Sequence, residues 1–193
     1  MTSPHSTGLY VPAGRGVLSI ATWNGTTPPT YPGDYTDLGN CPSFEVEPKV
    51  EKRPHYSSRS GLRTRDLNPT VQLEYDISFD LDELAAVNMQ KFFLGALNTS
   101  TYVISALQSA DAEYALRFVA DNPVGPNQTY SFWRVTLSPS GPLQLIGDDY
   151  LVLSFSGEGL SDTANHASSP YFDIKYATTT TTSTSSSSTS TTN

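Results

Sequence analysis

The chain has one cysteine, Cys41, in 193 residues, so no internal disulfide is available to it. It is also short of positive charge: 11 Lys+Arg stand against 19 Asp+Glu, a formal net charge of −8. A general nucleic-acid binder displaces counterions from phosphates with a basic surface, and this balance argues against one. No apolar run approaches the ~18–20 residues needed to span a bilayer. The N-terminus, Met1-Thr-Ser-Pro-His5, lacks the basic and then apolar stretches of a secretion signal. Without a signal or a disulfide framework, folding in a reducing cytoplasm is expected.

Catalytic spacings are equally scarce. His5, His55 and His166 are far apart, and no His/Cys spacing suggests zinc. Asp80 and Asp82 lack the glycine and terminal glutamate of an EF-hand loop. Gly14-Arg-Gly16 and Gly157-Glu-Gly159 lack the rest of a phosphate-cradling loop. Ser57 and Ser58 lie near His55 without the elbow that presents a nucleophile. Trp23 and Trp133 read as core or interface residues rather than a sugar platform. No enzyme and no cofactor is expected.

What is present is a segregation of charge. Lys49, Lys52, Arg53, Arg59, Arg63 and Arg65 fall within residues 49–65 with only Glu51 opposing them: six bases against one acid, a net +5. The remaining residues carry five bases against 18 acids, a net −13. A solvated basic loop is the plain reading; phosphate, an acidic partner or another copy of the chain are the others, and self-association gains weight because the acidic body supplies the complementary charge.

Periodicity points to a mainly β chain with one α-helix, built as a sandwich or barrel. Residues 1–16, with Pro4, Gly8, Pro12, Gly14 and Gly16, read as an extended arm. Val17–Trp23 reads as a strand, and Asn24–Gly39 as a loop. Phe44-Glu-Val-Glu47 alternates apolar with acidic. Pro48 and Pro54 mark an edge or loop, because proline cannot donate to a ladder. A long basic loop follows over 48–70, with Arg59–Arg63 at its tip. Val71–Phe79 alternates without a break. Val71, Leu73, Tyr75, Ile77 and Phe79 face a core, and Gln72, Glu74, Asp76 and Ser78 face water.

A helix is expected over 81–94, opened by a capping box of Asp80 and Glu83 and ended at Gly95. Further strands are expected at Val103–Leu107, at Glu113–Ala120 paired as a hairpin with Thr129–Leu137, at Pro142–Ile146 and at Tyr150–Ser156. Gly157–Tyr176 reads as an irregular arm. The folded domain is placed at 17–176, and the Thr/Ser-rich stretch 177–193 is expected to be disordered.

The order of these segments carries a resemblance. An acidic alternating strand, Phe44–Glu47, leads into Lys52-Arg-Pro-His-Tyr-Ser-Ser-Arg-Ser-Gly-Leu-Arg-Thr-Arg-Asp66. The strand Val71–Phe79, a helix ending in Phe93-Leu-Gly95, and a closing Asp148–Asp162 stretch follow. Over about residues 10–176 this resembles the major tail tube protein of long-tailed, non-contractile bacteriophages. The resemblance implies a structural virion protein whose β-sandwich subunits close into hexameric rings, their inner strands joined into one continuous barrel. The rings stack into a hollow tube, assembled in the host cytoplasm. It encloses a tape measure protein, meets terminator and baseplate proteins, and conducts double-stranded DNA without binding it specifically.

On this reading Glu45, Glu47, Glu74 and Asp76 are candidates for an acidic lumen. Lys52, Arg53, His55, Arg59, Arg63 and Arg65 are candidates for the contact loop between subunits and rings. Rival readings are a tail terminator or a type VI secretion-like tube, which share the fold, and a carbohydrate-binding β-sandwich module.

Overall fold

The computed structural model describes residues 14–59, 61–108, 112–122 and 126–177. The expected arm 1–16 lies almost wholly outside them, as does the Thr/Ser-rich stretch 178–193. The described chain is mainly β, with one short helix. Its strands are β1 (Gly16–Thr22), β2 (Thr36–Asp37), β3 (Ser43–Lys52), β4 (His55–Ser57), β5 (Thr64–Leu67) and β6 (Thr70–Leu81). After helix α1 (Ala86–Phe92) come β7 (Ala96–Asn98), β8 (Val103–Ser105), β9 (Glu113–Ala120), β10 (Gln128–Pro139), β11 (Leu153–Leu160) and β12 (Phe172–Tyr176).

One eight-stranded antiparallel sheet holds the molecule together, in the order β2-β1-β9-β10-β11-β6-β3, with β12 also paired to β10. The expected hairpin of β9 and β10 is present, with a register shift between Phe132 and Val135. On its other side β10 changes partner along its length: residues 128–132 pair with β12 and residues 134–139 with β11.

The sheet curls. Phe44 on β3 and Phe118 on β9 are separated by β10, β11 and β6, which in a flat sheet is about 19 Å at ~4.8 Å per strand. Their ring centroids are 5.5 Å apart. The concave face therefore wraps one core of Leu18, Ile20, Tyr75, Ile77, Phe79, Leu81, Leu116, Phe132, Val135, Leu153 and Phe155. Phe79 and Phe155, partners in register, stack at 4.9 Å. Truncating either to alanine removes a packing contribution of ~3–5 kcal/mol. Two glycines on β11 make room for this core. A Cβ on Gly157 would press on Leu137, and one on Gly159 would fall inside the Tyr75 ring. The reverse face of β1 and β9 is covered by the 24–38 loop, where the Arg117 guanidinium lies 4.0 Å from the Tyr31 ring centroid.

Several expectations need correction. The helix is Ala86–Phe92 rather than 81–94, because Leu81 is a fully buried residue of β6. Asp80 is a strand residue, in register with Ser43 and Ser154, so it is not a cap; the N-cap is Ala85, with no side-chain hydrogen bond. Asn88 closes this end instead, donating from Nδ2 to the carbonyls of Leu38 (2.9 Å) and Glu83 (3.0 Å). At the other end Leu94 takes the left-handed conformation (φ 46). Gly95 matters for space, since a Cβ there would sit 2.7 Å from the Ser105 carbonyl oxygen.

Residues 142–146 form no strand, and Leu145 and Ile146 are 70% and 92% exposed. Gly157–Tyr176 is not an irregular arm: β11 runs to Leu160 and β12 zips onto β10. Between them Asp162 accepts hydrogen bonds from Asn165 Nδ2 (2.9 Å) and pairs with His166 Nδ1 (2.8 Å), while His166 stacks on Trp133 with centroids 3.7 Å apart. Where the sheet begins and ends, Asp121 N–H donates to the Arg15 carbonyl (2.9 Å) and Ala177 N–H to the Asn127 carbonyl (2.8 Å).

Candidate functional site

The candidate residues lie on one structural device, a ribbon formed by β3 and β6. The alternation of β6 is unbroken, but its burial is not. Tyr75, Ile77, Phe79 and Leu81 are buried, whereas Val71 and Leu73 are 52% and 56% exposed. The expectation that all five apolar residues of Val71–Phe79 face the core therefore fails for the first two. The ribbon leaves the body at Tyr75, and its apolar face continues into solvent as Val50 paired with Leu73.

Tyr75 is the root of this projection. Its ring packs on Phe132, Tyr171 and Phe172 at 5.7, 5.9 and 5.2 Å. Tyr171 Oη then donates to the Leu73 carbonyl at 2.8 Å, where the strand emerges. The Tyr75 hydroxyl itself is buried and has no hydrogen-bond partner among the described residues. Burial pushes its pKa up.

The opposite face of the ribbon is acidic: pairing of β3 with β6 puts Glu45, Glu47, Glu74 and Asp76 on it together. Register places Glu47 opposite Asp76, and Asp76 opposite Glu158 of β11. Three carboxylates thus stand in one row across three strands. They border a trough of about 610 Å³ floored by Ser78, Thr136, Ser138 and Ser156. Like charges directly opposite one another on a sheet repel. Lys49 offsets part of this: its Nζ bonds Asp76, and that bond, with the surrounding acids, holds its pKa above the usual lysine value. Lys49 therefore belongs to the acidic face rather than to the basic loop. Glu158 is the residue that sequence reasoning missed. Its signal was the alternation of Ser154, Ser156 and Glu158 with Phe155 and Gly157, hidden because the small glycines do not register as an apolar face.

The basic segment forms a second, small sheet of β4 and β5 that continues the ribbon. Gly61, at φ +58, supplies the left-handed turn at its tip. Residues 52–56 and 61–70 are exposed throughout. Two clasps hold the hairpin. His55 Nδ1 lies 2.6 Å from Asp66 Oδ1, and this contact holds the Asp66 carboxyl below its usual range. Arg63 and Arg65 place their guanidinium carbons 5.2 and 5.7 Å from the Tyr56 ring centroid. Lys52, Arg53 and Arg59 make no ion pair among the described residues. The candidate contact residues Lys52, Arg53, His55, Arg59, Arg63 and Arg65 are thus presented on one exposed finger.

The outer edge of β3 pairs with no strand among the described residues. Because β3 curls toward β9 without pairing to it, a slot of about 300 Å³ stays open between them, lined by Phe44, Val46, Phe118, Ala120 and Tyr130. No group of three or more His, Cys, Asp or Glu among the described residues has metal-binding geometry. Burial pushes the Cys41 thiol up to about 11, so it is a poor nucleophile at neutral pH.

A family model described as "protein of unknown function UCP028589" matches residues 98–175, from the end of β7 through most of β12. No curated protein matches the chain. Among solved structures, the chain is similar to one from an extracellular contractile injection system, the PVC sheath–tube complex in its extended state. The identity is 10%, the alignment covers 92% of this chain and 100% of the other, and the TM-score is 0.39. That score is below the level at which a common fold follows.

Proposed function

We propose that the protein is a structural subunit that polymerises, as stacked hexameric rings, into the hollow tail tube of a non-contractile bacteriophage. The observation that carries this reading is the β3–β6 ribbon. It has a ten-residue strand with an open outer edge, one face of exposed aliphatic side chains and one face of carboxylates. An open edge of this length is a template for another chain, and monomers normally blunt such edges. Pairing of β3 with a neighbouring copy removes the hazard, and a head-to-tail contact that closes makes a ring.

In such a ring the acidic trough forms the bore. Glu45, Glu47, Glu74, Asp76 and Glu158 repel phosphate, so DNA passes without the counterion release that would hold it to a basic wall. Screening at physiological salt extends over about 8 Å, so the repulsion acts when the strand nears the wall. The same bore holds a tape measure protein before the genome arrives. Terminator and baseplate proteins cap the ends, and the tube belongs to the virion.

Negative-stain microscopy of the concentrated, purified chain tests this. Uniform hollow tubes are expected. Single rings would instead favour a tail terminator, and monodisperse globules would overturn the assembly reading in favour of a binding module.

A further inference from the structure

The two ends of β6 carry opposite charge and the same kind of exposed apolar surface. At its start is the basic finger, with Lys52, Arg53 and Arg59 in no ion pair among the described residues and Leu62 and Leu67 88% and 61% exposed. At its end, about 40 Å away at ~3.3 Å per residue, the chain leaves Leu81 into a shallow cleft. That cleft has a volume of about 360 Å³ and is lined by Asp82, Leu84, Asp149, Tyr150 and Leu151. Tyr150, which lines it, is 96% exposed, and Leu145 and Ile146, a few residues earlier in the same segment, are 70% and 92% exposed. Asp82 and Asp149 line it, Glu83 and Asp148 are their neighbours in sequence, and residues 140–152 contain no lysine or arginine.

A soluble chain gains nothing from leaving Ile146 and Tyr150 bare unless a partner covers them. Large exposed apolar patches rimmed by polar groups mark interaction sites. The partner must bring aliphatic groups together with several positive charges. The basic finger of another copy has both.

We infer that the cleft formed by residues 82–84 and 145–151 is the receptor for the 52–67 finger of the next copy along the axis. This rests on the tube reading and names the acidic partner that the finger meets. Donor and receptor lie at opposite ends of one strand, so each copy uses both. The contact is heterologous and, between rings, does not close on itself, which is the symmetry of an open-ended stack. The guanidinium of Arg59 or Arg63 suits the carboxylates of the consecutive residues Asp148 and Asp149, because its planar fork can pair a carboxylate at two points. Each exposed ion pair is weak alone, so stacking depends on several forming together around a ring.

The test is a charge exchange in the full chain. Asp148→Lys with Asp149→Lys should raise the concentration needed for polymerisation about tenfold or more, as should Arg59→Glu with Arg63→Glu. All four substitutions in one chain restore complementarity and should recover polymers. So should an equimolar mixture of the two double variants, which guards against a poorly folding quadruple variant. Sedimentation and microscopy read the outcome, with melting temperature as the check on folding. Tubes formed by the Asp148/Asp149 variant as readily as by the unaltered chain would overturn the receptor and leave the tube reading standing. Failure of both the quadruple variant and the mixture to polymerise would overturn it too. Salt-sensitive chains without a hollow bore, abolished by either double variant, would keep the receptor and sink the tube. An unaltered chain that stays monomeric throughout overturns both.

Discussion

Replacing Tyr75 with phenylalanine should stabilise this protein, although Tyr75 sits at the junction between body and ribbon. The ring makes the packing contacts, and those survive the change. The hydroxyl is buried and unpartnered among the described residues. A buried polar group without a hydrogen bond costs about 1–3 kcal/mol, and removing the group removes that cost. For a chain of this size each kcal/mol moves the melting temperature by about 2–4 °C, so a rise of roughly 2–12 °C is expected at pH 7.

The alkaline limb gives a second reading of the same residue. Burial raises the Tyr75 pKa above 10.0, so the folded state keeps its proton after the unfolded chain has lost it. The unfolded chain then binds fewer protons, and stability falls as pH rises beyond about 10, by about 1.4 kcal/mol per pH unit for one such group. Tyr35, Tyr114 and Tyr130 are shifted in the same direction, so the limb will not vanish in Tyr75→Phe. It should flatten by one group's share. Urea unfolding at pH 7, 10 and 11 measures both effects. A variant that melts lower at pH 7, or whose advantage does not grow between pH 10 and 11, refutes the reasoning.

Two further outcomes follow from the same core. Gly159→Ala should cost ~1–3 kcal/mol, because its Cβ displaces the Tyr75 ring from a filled site; denaturant midpoints check this. Asp162 is influenced most by burial, which pushes its carboxyl up, but hydrogen bonds from Asn165 and His166 outweigh that and leave it below 3.8. It therefore adds stability that is present above that value and lost as pH falls through the lower folded one, so Asp162→Asn should flatten the acid limb between about pH 4 and 2. An unchanged limb in urea titrations would show that another carboxylate controls it.

The sheet was legible in the sequence wherever one face met a core and the other met water. β9 was expected and found at Glu113–Ala120, and β1, β6 and β10 within two residues at each end, whereas β3 runs five residues past the expected Glu47, through Pro48 and into the expected basic loop. The same alternation put Glu45 and Glu47 on one face of one strand and Glu74 and Asp76 on one face of another; that the two strands pair was not legible. What was lost depended on partners distant in sequence. Leu81 has helical spacing with Leu84 but is claimed by Leu153 across the sheet. Val71 and Leu73 obey the pattern of a buried strand, yet no layer among the described residues reaches them. Pattern alone reports which face is apolar, not whether anything covers it. β12 was missed because its burial comes from Phe132 and Tyr75, far upstream. Glu158 was missed because glycine, chosen here to admit bulky neighbours, carries no apolar signal.

The hydrogen bonds at Arg15 and Ala177 tie both to the segment joining β9 to β10. The chain therefore enters and leaves the sheet at a single pole. Anything appended beyond either point, whether a tag, a fluorophore or a whole protein, starts from that pole, beside the slot that Arg15 shares with Phe44 and Val46 of β3. The same neighbourhood makes a circular permutant feasible: a short linker bridging the two points could move new ends to the 161–170 turn without cutting any strand.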